Sequence, residues 1–302
     1  MAQDRLILVV GGTGTQGGNV ARELLKHGHR VRILTRNAES QAARLLAAQG
    51  AEIIQGDMAY LASLEPAMDN VSAIFSAQYA DPTDRSIEHR NTANMVQAAR
   101  KAGVEQVVHT SVVGTDVNKR WNKYQFLAEM WEAKYEVEQL VRKGGFRYWT
   151  VQHPTWFMEN FIEPGSAMMA PDLKRGVLFG NLYADTPIKL NSGEETAKFA
   201  RAAFENPERF SGKDINIASD ELSMSQIAET LSRILGKQVV YESLSREAAV
   251  QRGLLPGTAY SMEWMNEVPG FGFDIEETRQ YGVPLKSFAE WVEENKQRID
   301  IR

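Results

Sequence analysis

The stretch Leu8–Val20, "LVVGGTGTQGGNV", runs an apolar segment straight into five glycines within eight residues. No other feature narrows the possible folds as far. A buried strand that ends in so many glycines must turn sharply where side chains would collide, and the chain that follows must pack close to it. Two spacings are satisfied together, Gly12-x-Gly14-x-x-Gly17 and Gly11-x-x-Gly14-x-x-Gly17. Both describe a strand-to-helix turn in which one glycine permits the turn and another admits a pyrophosphate. The last lets the helix sit against the sheet with its N-terminal N–H groups toward the phosphates. A tight glycine turn that holds nothing is the plainer alternative. The position of this turn, directly after the first strand and opening an amphipathic helix, favours the ligand site. Gly11, Gly12, Thr13, Gly14, Thr15, Gln16 and Gly17 are therefore expected to cradle a dinucleotide.

The chain around this loop has the rhythm that such a turn requires. Arg5–Val10, Arg30–Thr35, Glu52–Gln55, Ala73–Ser76, Gln106–Thr110 and Tyr148–His153 read as strands. Helical patterns separate them at Gly17–Lys26, Ala38–Gln49, Ser63–Met68, Thr83–Ala102 and Ala128–Arg142. Strands apolar on both faces and alternating with helices imply a parallel sheet with right-handed crossovers. The expected class is α/β, a doubly wound parallel Rossmann sheet with a smaller, partly helical C-terminal domain. After His153 the alternation stops, and "PTWFMENFIEPGSAMMAPDLKRG" is rich in aromatics, Met and Pro. The expected division is a first domain over 1–153, with 186–219 returning to it, and a second over 154–185 and 220–302. Within these, strands are expected near Ile188–Leu190, Asp214–Ala218 and Val239–Tyr241, and a helix at Ala197–Glu205.

Composition removes several functions. The 302 residues contain no cysteine, which excludes disulfides, thiolate catalysis and thiolate metal sites. The histidines at 27, 29, 89, 109 and 153 lack metal-ligand spacing, so no metal is expected. Net charge is −5 with both signs interspersed, which gives nucleic acid no electrostatic footing as a direct partner. No apolar run is long enough to span a bilayer, and the start shows no signal peptide, so a cytoplasmic protein without membrane attachment is expected.

The end of the second strand selects the cofactor. An NAD site usually places Asp or Glu there to bind the ribose 2′-hydroxyl. This chain has Thr35 and Arg36. A carboxylate would repel a 2′-phosphate, whereas a guanidinium can bind it bidentately and stack on adenine. The alternative is a solvated loop arginine; NADP(H) is favoured over NAD(H). Asp57 and Met58 in "QGDM", after the third strand, are placed to meet the adenine edge. Ser76, Ala77, Gln78 and Tyr79, after the fourth, should border the nicotinamide half.

"GGTGTQGG", "TRN", "QGDM", "AKYEVEQLV", "PTWFMENF" and a late "SFAEWVEENK", in this order, resemble the NmrA-like family of atypical short-chain dehydrogenases over nearly the whole chain. The resemblance implies a Rossmann domain, a small C-terminal domain and a cleft between them. It also implies one of two occupations. Some members bind dinucleotides and report their state to protein partners; others reduce small aromatic or conjugated substrates with NADPH.

Short-chain dehydrogenases of the standard kind use Tyr-x-x-x-Lys on a helix, the lysine lowering the tyrosine pKa and holding the nicotinamide ribose. Here Lys134 is present, but Met130 occupies the tyrosine position and cannot transfer a proton. The partner serine aligns with Val112, or with Ser111 after a one-residue slip. Met130, Val137 and Val141 share one helical face, and Lys134 falls inside that apolar stripe. Ribose binding would explain it; so would a lysine that snorkels out and pairs with Glu138 one turn on. Other proton-transfer candidates are Tyr124, in a loop expected over the cleft, and Tyr135, His109 and His153. Tyr135 should point away from Lys134, and the two histidines suit hydrogen-bonded core positions. Trp121, Phe126, Met130, Trp156, Phe157 and Phe161 offer aromatic and thioether surface for a flat hydrophobic ligand, or else glue the small domain to the large one. Asn160 matches the family motif and should tie the crossover segment to the cleft.

Together these residues point to an NADPH-dependent reductase of a small hydrophobic substrate, with the proton from water or Tyr124. The alternative is a non-catalytic NADP(H) redox sensor acting through a regulatory protein partner, which the missing tyrosine favours. The oligomeric state is left open, a homodimer included. One test follows from Arg36 alone. Arg36→Ala should weaken NADPH much more than NADH in a fluorescence titration; equal losses for the two would mean that Arg36 does not read the 2′-phosphate.

Overall fold

The computed structural model describes residues 5–78, 81, 84–115 and 125–302. Six strands follow the expected β–α rhythm: β1 (Leu6–Val10), β2 (Arg30–Thr35), β3 (Glu52–Gln55), β4 (Val71–Ser76), β5 (Gln106–Thr110) and β6 (Tyr148–Pro154). The helices between them are α1 (Thr15–Lys26), α2 (Gln41–Ala48), α3 (Leu61–Leu64), α4 (Ser86–Ala102) and α5 (Gln125–Arg142). Beyond β6 the strands are β7 (Trp156–Phe157), β8 (Val177–Gly180), β9 (Pro187–Asn191), β10 (Lys213–Ile217), β11 (Asp220–Ser223) and β12 (Val240–Ser243). Helices α6 (Gly165–Met169) and α7 (Gly193–Glu205) lie among them, and further short helices reach the C-terminus.

Seven strands make the main sheet in the order β10-β6-β5-β4-β1-β2-β3. Pairing is parallel from β6 through β5, β4 and β1 to β2 and β3. Every residue of β1 and of β5 is buried, because helices cover both faces of the sheet. The strand order reverses at β1, which pairs with β2 on one side and β4 on the other. A doubly wound sheet opens a crevice at such a point, beyond the carboxyl ends of its strands.

Local chemistry sets the helix ends. Ser40 caps α2 through its Oγ, which accepts the Ala43 N–H, so the helix starts at Gln41 and not at Ala38. The helix expected over Ser63–Met68 is broken by Pro66 into α3 and a short 3-10 turn, Pro66–Met68. Gly103, with φ of 75°, ends α4 in the left-handed conformation.

The described residues form two compact units. One comprises 5–115, 129–153 and 196–215, and the other 125–128, 154–195 and 216–302. The segment that returns to the first unit is thus shorter than the expected 186–219. The reason is β9, which is held in the second unit by pairing with β7 and β11. A two-stranded ribbon, β8 with β12, belongs to the same unit. Its core includes Phe161, Phe288 and Trp291, with the Phe161 ring edge-on to Phe288 at 5.3 Å and Phe288 stacked on Trp291 at 6.1 Å. Lys189 is buried on β9, where its Nζ donates to Glu221 Oε1 and to Gly270 O, both at 2.8 Å. No helix among the described residues is long and apolar enough to cross a membrane.

Candidate functional site

In the first unit the glycine turn lies at the carboxyl end of β1, beside the residue that follows β4. Gly11 has φ of 76°, and a Cβ there would stand 2.2 Å from the Ala77 carbonyl oxygen. Only glycine allows both the conformation and the approach. Gly17 is excluded from side chains in the same way: its Cβ would lie 2.3 Å from Gly11 O, so α1 can start directly against the turn. Gly14 differs. It is exposed, and the nearest atom a Cβ would meet is Gly11 O at 3.3 Å. Thr13 and Thr15 beside it are also exposed.

Gly14 is the N-cap of α1 and offers no side chain to the helix end, and the first turn carries no acidic residue. The first intrahelical bond runs from Gly18 N–H to Gly14 O at 2.9 Å. The N–H groups of Thr15, Gln16 and Gly17 therefore lack intrahelical acceptors and form the positive end of a twelve-residue dipole. Gln16 is tied back to the sheet by accepting the Thr110 hydroxyl at 2.8 Å. An anionic group fits this cradle on three counts: no side chain in front, uncapped donors and no competing carboxylate.

At the end of β2, Thr35 is buried and its Oγ1 accepts the Asn37 N–H at 3.2 Å. Arg36 is exposed and has neither an ion-pair nor a hydrogen-bond partner among the described residues. After β3, Asp57 is half-buried, and its Oδ1 accepts the Ala59 N–H at 2.9 Å. Met58 points its side chain into the apolar core with Leu34, Leu64 and Met95, so only its main chain is left to meet a ligand. That carbonyl accepts Asn94 Nδ2 at 2.9 Å. Beyond β4, Gln78 is half-buried and donates through Nε2 to Thr92 Oγ1 at 2.7 Å, while its Oε1 is buried without a partner among the described residues.

Lys134 on α5 does not pair with Glu138. Its Nζ donates across to Glu88 Oε1 on α4 at 2.7 Å, and Glu88 is buried. Glu138 is committed elsewhere: its Oε1 lies 3.0 Å from His153 Nε2 and its Oε2 accepts Arg142 at 2.7 Å. Burial alone would raise the Glu138 pKa, but the hydrogen bond and charge of His153, with Arg142, outweigh it and hold the group at about 2. His153 is thus a hydrogen-bonded core histidine, as expected of it. His109, fully buried on β5, is different, because neither ring nitrogen has a partner among the described residues. Burial pushes its pKa down to about 3, against the opposing pull of Glu138. Tyr135 faces away toward Arg142, whose guanidinium sits 5.8 Å from its ring centre. Trp131 anchors α5 by donating from Nε1 to Val113 O at 3.1 Å, and Met130 beside it is half-buried. Ser111, the residue after β5, is buried and its N–H donates to Gln152 O at 2.8 Å.

The turn, Arg36, Asp57, Gln78 and Lys134 all belong to the first unit. Trp156, Phe157, Asn160 and Phe161 belong to the second. There Trp156 is buried on β7 with its indole N–H unpartnered, Phe157 and Asn160 are half-buried, and Phe161 is taken up by the core. Trp121, Tyr124 and Tyr79, and the Phe126 side chain, lie outside the described residues. Sequence reasoning passed over Glu88 and Thr92. The signal was available: Glu88, Thr92, Met95 and Ala99 recur at spacings of four and three on the buried face of α4. A carboxylate on that face calls for a buried partner.

A doubly wound sheet with a glycine turn at its reversal point defines a Rossmann-type fold. The chain belongs to the NmrA-like family, whose model matches residues 3–285. It is 30% identical over 257 residues to the NmrA-like family domain-containing oxidoreductase himF of Aspergillus japonicus, covering 80% of this chain and 76% of that one. It is 27% identical to quinone oxidoreductase 2 of Escherichia coli over 95% and 97% of the two chains. Among solved structures, Citrobacter sp. triphenylmethane reductase complexed with NADP(H) superposes with a TM-score of 0.75 at 22% identity, over 95% of this chain and 99% of that one.

The unpartnered histidine generates a stability prediction. His109 stays neutral in the fold down to about pH 3, while its ordinary value is 6.5. Between these values unfolding takes up a proton, so stability falls as pH drops, by at most about 1.4 kcal/mol per unit. Between pH 5 and 6 the titration of Glu138, whose unfolded value lies lower, contributes little. His109→Leu should lower the pH slope of urea-unfolding free energy in this window by close to one proton. An unchanged slope would mean that His109 is not held neutral by burial.

Proposed function

We propose that this chain binds NADP(H) and uses it to reduce a small hydrophobic, conjugated or aromatic substrate. The observation that carries the reading is an uncapped, acid-free helix start behind a glycine turn, with Arg36 at the end of the neighbouring strand exposed and without a partner among the described residues. The donors of Thr15, Gln16 and Gly17 suit a pyrophosphate, and Arg36 suits a 2′-phosphate. Asp57 and the main chain at Met58 suit the adenine edge, and Ala77 and Gln78 the nicotinamide half. Lys134 would hold the nicotinamide ribose. Relatives named as oxidoreductases, one of them a quinone oxidoreductase, support reduction as the chemistry.

Reduction needs one hydride, which NADPH supplies when bound, and one proton from solvent or from a side chain. Met130 has no proton to give, and His109 is buried and neutral, with no route to solvent along the described residues' hydrogen bonds. We assign the side-chain candidate to the Tyr124 phenol on the sequence reading. Met130, polarizable and half-buried, suits a flat apolar substrate, whereas Phe161 is taken up by the core of its own unit. Met130 in the tyrosine position favours a second reading, in which NADP(H) occupancy is sensed by a protein partner without turnover.

The deciding experiment follows NADPH oxidation against quinones, enones, imines and azo dyes. Turnover of at least one class is expected, with Lys134→Ala lowering kcat/KM by about 10²-fold, the size typical of a lost positioning contact. Tight NADPH binding with no turnover on any class would overturn the reductase reading and leave the sensor.

A further inference from the structure

Glu88 is the third residue of α4, 4% exposed, and it bonds to a lysine 46 positions away whose own side chain is 15% exposed. An acidic side chain on a buried helical face is costly unless a partner meets it. The same holds for Lys134 within the apolar stripe of α5. Each charge accounts for the burial of the other, but the pair leaves chemistry unspent. An ammonium has three N–H donors. Glu88 Oε1 takes one, and among the described residues no other acceptor meets Nζ. Two donors from one nitrogen match the two oxygens of a vicinal diol.

Behind Glu88 the hydrogen bonds continue to Gln78, two residues past β4. Thr92, fully buried, donates its hydroxyl to Glu88 O at 2.8 Å and accepts Gln78 Nε2 at 2.7 Å. Gln78 follows Ala77, the residue on which Gly11 packs. Hydrogen bonds thus run from Gln78 through Thr92 to the main chain of Glu88, and from the Glu88 carboxylate to Lys134. The orphaned Gln78 Oε1 adds an acceptor at the start of this set. His109 on β5 feels the charges of Lys134, of Glu138 and Arg142 on α5 and of His153 on β6, and a second ion pair joins Arg85, just before α4, to Glu129 Oε2 on α5 at 3.1 Å. Glu138 is taken by His153 and Arg142, and Arg142 also donates to Asp214, which leaves Lys134 to Glu88.

We infer that Glu88 is the positioning residue of the NADP(H) site: it fixes the Lys134 ammonium so that its two remaining donors meet the ribose hydroxyls, and Thr92 holds Glu88 and Gln78 in register. The inference rests on the proposed cofactor reading. An ion pair serving only stability would alter the melting temperature and leave cofactor affinity unchanged in the folded protein.

A double-mutant cycle on NADPH affinity tests it, using the full chain well below its melting temperature. Glu88→Gln and Lys134→Met should each raise the Kd about tenfold, and the double variant no more than the worse single, because the two residues act as one. Thr92→Val, nearly isosteric, should raise the Kd about threefold with Lys134 present and not at all in the Lys134→Met background. It keeps the test open if Glu88→Gln does not fold. Losses that multiply in the double variants, or wild-type affinity in both Glu88→Gln and Thr92→Val, would overturn the inference while wild-type NADPH binding still stands. A wild-type protein that does not bind NADPH would overturn the cofactor reading, and this inference with it.

Discussion

Everything in the first unit that bears on function hangs on the approach of Gly11 to Ala77. The Cβ that glycine lacks would lie 2.2 Å from a carbonyl oxygen, so the end of β1 and the end of β4 can meet only because this residue has no side chain. The Ala77 N–H closes the same contact by donating to Val10 O at 3.2 Å. Two consequences follow from one close approach. The start of α1 is directed at the reversal point of the sheet with its donors uncapped, and Gln78 is set beside the turn and over α4. Van der Waals exclusion thus defines the site before any charge is placed in it.

Charge is then arranged in a polar layer between the sheet and helices α4 and α5, where such folds commonly place apolar side chains. Two groups of charges lie there, the first extended to Asp214 through Arg142. Glu138 is satisfied by His153 and Arg142, and its depressed pKa keeps it ionised through the physiological range. Glu88 and Lys134 satisfy each other. His109 belongs to neither group and stays neutral because burial penalises its charged form. Separation into two groups matters chemically. If Glu138 were not occupied by His153 and Arg142, it would compete for Lys134 from the same helix, one turn away. Because it is occupied, Lys134 reaches across to α4 and retains two donors.

Features legible in the sequence were those written into contiguous residues. Apolar runs such as Leu6–Val10 and Gln106–Thr110 announced a sheet covered on both faces, and the glycine spacing announced the turn. Arg36 could be weighed because the residue after β2 occupies a fixed place in such a fold. What escaped was decided by tertiary partners. Periodicity showed that Lys134 lay in an apolar stripe but could not say that its counter-ion came from 46 residues earlier. Met58 and Phe161 have the composition of ligand-facing side chains and turned inward, because each unit needed their volume in its core. The strand Val177–Gly180 carries no alternation, since its pairing with β12 is set by two distant segments. The break at Pro66 was written in the sequence all the same, and proline chemistry alone accounts for it.

The central claim is that the turn and Arg36 together form a site for a 2′-phosphorylated dinucleotide. Calorimetric titration of the wild-type chain with adenosine 2′,5′-bisphosphate and with 5′-AMP isolates that claim, because the two ligands differ only in the phosphate assigned to Arg36. The account predicts that the bisphosphate binds about tenfold or more tightly, the worth of a charge-assisted bidentate contact, and that the preference shrinks as salt is raised. Equal affinity for the two ligands, or no binding of either, would contradict it.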